Sequence, residues 1–445
     1  MTRLRPMPSD NQLDRAKGLL IAAPSSGAGK TTATLSILRA LKNSGRSVVS
    51  AKSGPDYIDP QFHHAATGYQ CINLDAWAMD AGTLQALATE HSAGHDLLIV
   101  EGAMGLFDGA ANGKGSAADL ASALSLPIIL VVDCAKQAQS VAALVSGFQN
   151  FRPEVQIASV ILNRVGSTRH ETMLRNALKD LDVEVLGALP RSEDLVLPER
   201  HLGLVQAHEH QDMPAFLEGA ALLCSKHLDL GKLEAVASDL SGLSGGNTSL
   251  PKPMGHRIAI AKDIAFAFVY PHLLGYWRRQ GAELSFFSPL ADEAPDPNSD
   301  AIFLPGGYPE LHAEKLAKAR TFKSGMSAAA AANKLIYGEC GGYMTLGEGL
   351  IDSKGHRHEM LGLLPLETSF QARKRHLGYR VLEPLSDLPW SESLAAHEFH
   401  YASIVSEGDA DRLFAACDAE ENQLSNMGLR KGTVMGSFAH VISVA

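Results

Sequence analysis

The stretch Gly18-Leu-Leu-Ile-Ala-Ala-Pro-Ser-Ser-Gly-Ala-Gly-Lys-Thr-Thr32 restricts the folds open to this chain more than any other. The apolar run from Leu19 to Ala23 reads as a buried strand. A turn of small residues follows, and Lys30-Thr31-Thr32 opens a helical pattern that runs to about Asn43. Strand, glycine-rich turn and helix N-terminus together build a phosphate cradle. Backbone N–H groups converge on the anion, the helix dipole favours negative charge, Lys30 reaches the β/γ oxygens, and Thr31 offers its hydroxyl to Mg²⁺. Gly27, Gly29, Lys30, Thr31 and Thr32 are thus the candidate nucleotide-binding residues. Pro24 stands where the G-x-x-x-x-G-K-[ST] pattern has its first glycine. A turn that binds nothing is the plain alternative, but the strand and helix on either side favour a nucleotide site.

Further strands are predicted near 47–51, 96–100, 127–132, 156–162 and 183–186, with helices near 81–90, 137–148 and 169–181. Strands that read as continuous apolar runs, alternating with helices, predict a parallel sheet covered on both faces. Polar residues cluster just after the strands' C-terminal ends: Lys52, Asp56 and Asp59, then Glu101 and Asp108, then Asn163 and Arg164. In open α/β sheets that edge binds ligands. This half therefore reads as a P-loop NTPase-type domain. Thr31, Asp56 and Glu101 are hard oxygen donors suited to Mg²⁺ beside phosphates. Gly-Pro-Asp is also ordinary turn chemistry, so a solvated turn stays open for Asp56 and Asp59.

The Ser/Gly/Pro-rich run 238–253 reads as interdomain, and a second α/β series starts at Arg257. The division is an N-terminal extension over 1–17, a P-loop domain over 18–228, a linker over 229–255 and a second domain over 256–445. In that domain, a strand at Leu335–Tyr337 leads into Gly338-Glu-Cys340-Gly-Gly342, the cysteine form of a nucleophile elbow. The helix after it is expected to lower the thiol pKa and, through Gly341, to offer an oxyanion donor. Gly307, after the preceding strand, is the other donor. The candidate bases are His440, in a strand-like segment, and its rivals His397 and His400, among which spacing alone does not choose. A thiol acyl-transfer site and a P-loop on one chain suggest coupled chemistry: ammonia released from glutamine attacks a carboxylate activated by ATP.

Composition excludes other classes. A net charge of −10 argues against a nucleic-acid-binding surface. Five scattered cysteines without a C-x-x-C pair fit reduced thiols rather than a zinc site or disulfide frame. No signal peptide and no membrane-length apolar run are read, so the expectation is cytoplasmic, with no membrane partner. A homodimer is left open.

The segments Ala23-Pro-Ser-Ser-Gly, Lys30-Thr-Thr, Gly54-Pro-Asp-Tyr-Ile-Asp-Pro60, Asn73-Leu-Asp75, Glu101-Gly-Ala-Met-Gly-Leu-Phe-Asp-Gly109, Tyr337-Gly-Glu-Cys-Gly-Gly-Tyr343, His376-Leu-Gly-Tyr-Arg380 and His397-Glu-Phe-His-Tyr401 resemble the corrinoid glutamine-dependent amidase family. Its members are the cobyrinic acid a,c-diamide synthases and their hydrogenobyrinic acid counterparts. The resemblance runs from Gly18 to His440. It implies a dethiobiotin-synthetase-like synthase domain joined to a class I-type glutamine amidotransferase domain, with ATP, L-glutamine and Mg²⁺ used to amidate the a and c carboxylates of a corrinoid through an acyl phosphate.

Family roles fall on Cys340 as nucleophile and His440 as the residue that activates it. Asp56, Asp59, Glu101 and Asp108 match the acidic positions of the synthase site. Asn163 becomes an adenine contact, with capping of the next helix as its alternative. Lys52, Arg164 and Arg191, with the run Arg373-Lys374-Arg375, are the cations available to an anionic corrinoid; a solvated face is the alternative for that run. Most class I amidotransferases place Glu two residues after the histidine. Ile442 stands there, and the corrinoid branch shares that absence of Glu, which leaves open what orients His440. Two other readings remain: a relative such as cobyric acid synthase acting on other side chains or another tetrapyrrole, and a P-loop ATPase switch with a degenerate amidotransferase domain. Against the switch, Ser25 stands where such ATPases carry a lysine.

Overall fold

The computed structural model describes residues 16–192, 199–200, 203–204, 212–243, 246 and 248–445, in two compact units divided between Thr248 and Ser249. Of the expected N-terminal extension only Ala16 and Lys17 lie within the described residues. Arg191 is described; residues 193–198 are not.

In the first unit, β1 (Lys17–Ala22) leads through the glycine turn to α1 (Lys30–Asn43). Then come β2 (Val48–Ser53), α2 (Asp59–Thr67), β3 (Ile72–Leu74), α3 (Ala81–Ser92), β4 (Leu97–Glu101) and α4 (Ala117–Ala123). The series continues with β5 (Ile128–Asp133), α5 (Ser140–Phe151), β6 (Ile157–Val165), α6 (Thr168–Leu178) and β7 (Glu184–Pro190). Among the described residues these strands form one parallel sheet in the order β3-β2-β4-β1-β5-β6-β7. β1 is buried at every position after Lys17, as its unbroken Leu-Leu-Ile-Ala run requires of a strand with helices on both faces.

A short ribbon pairs β8 (Glu199–Arg200) with β9 (Gly203–Leu204). Next comes α7 (Met213–His227), whose Phe216, Leu217 and Cys224 share one core with Leu35 and Leu38 of α1. The span expected to be a linker is partly ordered onto this unit. α8 (Leu230–Val236) buries Leu233, and β10 (Ser238–Asp239) pairs antiparallel with the start of β1. Leu240 is buried, and its N–H donates to Ala16 O (3.1 Å). Asp229 caps α8 by accepting from Lys232 N. The Ser/Gly bias of the span masked that cap and the apolar residues it serves.

The second unit opens as a parallel α/β series: β11 (Arg257–Ala261), α9 (Pro271–Arg279), β12 (Glu283–Phe287), β13 (Ala301–Leu304), α10 (Ala313–Lys318), α11 (Arg320–Ala331), β14 (Leu335–Glu339) and α12 (Gly341–Leu346). α10 and α11 are separated at Ala319, whose ψ of 87° leaves the helical region. Beyond α12 the chain is mostly antiparallel. β15 (Gly349–Ile351), β16 (Arg357–Glu359), β17 (Leu366–Ser369) and β20 (Ser403–Glu407) form a small sheet. β18 (His376–Pro384), β19 (Leu394–His400), β21 (Asp411–Asp418), β22 (Met427–Lys431), β23 (Val434–Ser437) and β24 (Ala439–Val444) extend the main one.

Its order is β12-β11-β13-β14-β23-β22-β21-β18-β19-β24. β23 runs beside β14; after Phe438 the chain re-enters as β24, which pairs with β19. That bend brings both strand ends to the close of β14: Cys340 N donates to Ser437 O (2.8 Å) and Val441 N to Glu339 Oε1 (3.1 Å). Among the described residues no helix is long and apolar enough to cross a membrane.

Candidate functional site

In the first unit the glycine turn ends at Gly29, which caps α1 at φ 84°. A β-carbon there would lie 2.3 Å from Asn163 Nδ2. Asn163, at the end of β6, donates to Ala28 O (2.8 Å) and so braces the loop. It does not cap the next helix; Ser167 does. Gly27 is also left-handed (φ 79°). Lys30, Thr31 and Thr32 form the first turn of α1.

Glu101 closes β4 fully buried, in register with Ile21 of β1 and Lys52 of β2. Thr31 Oγ1 donates to its Oε1 (2.7 Å), Lys52 Nζ donates to the same oxygen (2.8 Å), and Lys30 Nζ stands 3.6 Å away. Its Oε2 meets His63 Nε2 at 2.7 Å. Burial alone would raise the carboxyl, but Lys52, the His63 bond and Lys30 pull it well below the usual range. Lys52 also donates to Asp59 Oδ2 (2.5 Å). Burial opposes its charge, but Asp59 and Glu101 together outweigh that and hold the ammonium protonated. Lys30 is pulled down by burial and then by Lys52. Asp56, whose Oδ1 accepts from Ile58 N (2.8 Å) at the entry to α2, is pushed up to about 7 by burial and by Asp59.

Asp59 opens α2 and is buried, whereas Asp56 is half-buried in the turn before it. Lys52, expected as a cation for an anionic corrinoid, is buried between Asp59 and Glu101. Arg164, at φ 57°, pairs on the surface with Asp133 (2.6 Å). Asp108 Oδ2 accepts from Gly105 N (3.1 Å) and folds the turn after β4. His63 is a residue that motif reading missed; its signal is the spacing of four from Asp59, which puts both on one face of α2. Thr31, Asp56 and Glu101 fit Mg²⁺: all are hard oxygen donors, and Asp56 is pushed up by burial and then by the neighbouring Asp59 carboxylate, both of which a bound cation would offset.

In the second unit Cys340 sits between β14 and α12 at φ 46°, ψ −102°, a conformation that non-glycine residues rarely hold outside functional turns. Gly341 N faces the sulfur. The point that a Gly341 β-carbon would occupy is 3.0 Å from Gly307 N, so the two expected oxyanion donors are neighbours. A β-carbon on Gly306 would meet His440 Cε1 at 2.2 Å, which sets the ring against the same loop. Loop, elbow and histidine thus converge.

The expected low thiol pKa is not found. Burial, then the carboxyls of Glu310, Glu398 and Glu339, push the Cys340 thiol up, and the one-and-a-half turns of α12 do not offset it. His440 is pulled down to about 3 by burial and by its neighbours His397 and His400. At rest the thiol and the imidazole are therefore both neutral.

The rivals are differently placed. His400 has both ring nitrogens engaged, Nδ1 with Ala402 O (3.1 Å) and Nε2 with Glu398 Oε1 (2.9 Å). His397 lies edge-on to Tyr379. Two acids were missed. Glu310 is pushed up to about 7 by burial, is drawn down by Arg373, and acts on the Cys340 thiol. Glu339, the residue before Cys340, has Oε2 3.8 Å from His440 Nδ1.

The CobQ/CobB/MinD/ParA nucleotide binding domain matches residues 19–205, and the CobB/CobQ-like glutamine amidotransferase domain matches residues 257–445. Along the full length, the chain is 59% identical to a hydrogenobyrinate a,c-diamide synthase of Brucella anthropi, over 96% of this chain and 98% of that protein. The protein of that name from Rhizobium meliloti is 56% identical over 96% of this chain and 99% of its own. One from Mesorhizobium japonicum is 50% identical, over 97% and 99%. Both units, and the order in which they follow, are thus shared with these relatives, and the chain belongs to the hydrogenobyrinate a,c-diamide synthase family.

Proposed function

We propose that this protein converts the a and c carboxylates of hydrogenobyrinate to amides in cobalamin biosynthesis, using ATP and glutamine and working in the cytoplasm. The observation that carries the reading is the strained Cys340 beside a neutral His440, on a chain whose P-loop threonine meets a buried Glu101. In the second unit, His440 takes the thiol proton and Sγ attacks the side-chain carbonyl of glutamine. Gly307 and Gly341 N–H groups face the oxyanion. The C–N bond breaks, the proton returns to the leaving ammonia, and water hydrolyses the thioester to glutamate.

In the first unit, Lys30 and the N–H groups of the glycine turn hold the phosphates of ATP, and Asn163 keeps that turn in shape. Thr31, Asp56 and Glu101 would hold Mg²⁺, which supplies charge neutralisation at the phosphates when bound. Lys52 holds Glu101 charged and ties it to Asp59. A substrate carboxylate takes the γ-phosphoryl group, and ammonia displaces phosphate from the acyl phosphate. The expected products are the diamide, ADP, phosphate and glutamate. Arg164 and Asp108 stand at the sheet edge where the corrinoid would bind.

The test incubates the protein with ATP, Mg²⁺ and glutamine, with hydrogenobyrinic or cobyrinic acid, and follows product mass and ADP. The wild type should add two amides. Cys340→Ala should add them from free ammonia and not from glutamine. Hydrolysis of glutamine with neither acid amidated would overturn the substrate assignment. Glutamine-driven amidation by Cys340→Ala would overturn the role of the thiol.

A further inference from the structure

A histidine base works best when its far nitrogen is held, because that contact fixes the tautomer and steadies the imidazolium that forms. The position two residues beyond His440 cannot do this: Ile442 is apolar and fully buried. Glu398, the acid on the strand paired with β24, is already committed. Its Oε2 takes Arg380 Nε (2.9 Å) and Nη2 (2.8 Å), and its Oε1 takes His400 Nε2 (2.9 Å).

Glu339 is placed differently. It is the last residue of β14, buried, with Oε1 held by Val441 N (3.1 Å) and Oε2 3.8 Å from His440 Nδ1. We propose that Glu339, immediately before the nucleophile, is the positioning residue for His440, filling the role that a carboxylate two residues after the histidine would otherwise have. This rests on the Cys340–His440 reading above.

The geometry comes from the sheet. β23 runs beside β14 and the chain re-enters as β24, so the main chain on either side of Phe438 grips the end of β14: Ser437 O takes Cys340 N and Val441 N reaches Glu339. The carboxyl is therefore fixed to the same strand as the imidazole it would hold. The 3.8 Å separation exceeds a hydrogen bond in the substrate-free chain, and such contacts commonly tighten when substrate binds. With Nδ1–H directed at Glu339, Nε2 is left to take the proton of Cys340. When Sγ attacks and the ring becomes imidazolium, the carboxylate stands beside the new charge; when the proton goes to ammonia, the ring is neutral again.

Glu339 faces His440 of β24 and acts on Tyr337 of its own strand and on the Cys340 thiol, and His440 in turn is faced by His397, Glu398 and His400 of β19. Burial pushes Glu339 up to about 8, so the wild-type glutaminase kcat should rise as pH passes that value and the carboxyl ionises.

The experiment measures glutamine hydrolysis from about pH 6 to 9.5 in full-length wild type, Glu339→Gln, Glu339→Asp, Cys340→Ala and His440→Ala. Thermal melting checks that each variant is folded. Glu339→Gln should lose at least about tenfold in kcat, with the glutamine KM little changed and the rise near pH 8 gone. Glu339→Asp should recover part of the rate and the rise. A Glu339→Gln enzyme within twofold of wild type, or one that is slower with its pH profile intact and no gain from Asp, overturns the proposal. If Cys340→Ala or His440→Ala keeps wild-type hydrolysis, the dyad reading itself falls, whatever Glu339 does.

Discussion

The ammonium of Lys52 has Asp59 at 2.5 Å and Glu101 at 2.8 Å, and almost no water. Replacing it by Met keeps the length of the side chain and removes the charge, which leaves two carboxylates buried against each other. Removing one partner of a buried ionic group costs on the order of 3–5 kcal/mol, and Lys52→Met should show that loss in urea denaturation of the first unit, with amidation from either donor abolished. A stability within about 1 kcal/mol of wild type would mean that the cluster is solvated in solution. At this scale Thr31 and Glu101 were plain in the sequence, because a P-loop lysine is followed by a hydroxyl residue and a strand-end acid has few other uses. Lys52 misled as a strand-end cation. Its partners are set by the pairing of β2 with β4, a register between segments 49 residues apart in the chain. Glu339 was hidden in the same way: nothing local says that β24 returns to the end of β14.

The parallel strands were legible as elements, and β4 and β5 fall where apolar runs predicted them. Burial on both faces leaves these two an almost uninterrupted signal. The antiparallel half gives none: β18 is neither apolar throughout nor cleanly alternating, since its side chains are half-covered along most of its length. Yet β19 and β24 carry a measurable property of the second unit. Burial pulls His397 down to about 4 and His440 to about 3. The unfolded chain therefore binds protons at these sites below about pH 6.5, where the folded chain does not. Stability is full above that pH and falls as pH drops through the window toward the folded values. A displacement from 6.5 to about 4 is worth on the order of 3 kcal/mol for His397. The protection factors of amides 394–400 and 439–444, with the pH dependence of the intrinsic exchange rate divided out, should fall between about pH 7 and pH 5, and His397→Gln should flatten that dependence. Protection factors insensitive to pH across this range would show that these rings are not buried neutral.

On the whole molecule, two separate sheets carry two chemistries, and a chain of this kind poses the question of which reaction each sheet can perform alone. Lys30 is the residue that separates them. Its ammonium, nearly buried and 3.6 Å from Glu101, is the cation placed at the glycine turn itself, so Lys30→Met removes the contact to the transferring phosphate and leaves the thiol site untouched. Loss of electrostatic stabilisation at a transferred phosphoryl group is expected to cost about 100-fold or more in rate. Amidation should therefore fail with glutamine and with ammonia alike, whereas Cys340→Ala fails with glutamine only. Glutamine hydrolysis measured without the corrinoid should survive Lys30→Met at close to the wild-type rate. A P-loop switch coupled to a degenerate amidotransferase domain gives the opposite pattern: ATP binding would alter the second unit, and no donor would yield an amide even in the wild type. The ammonia arm decides between them, because ammonia bypasses the thiol and needs only a carboxylate that ATP has activated.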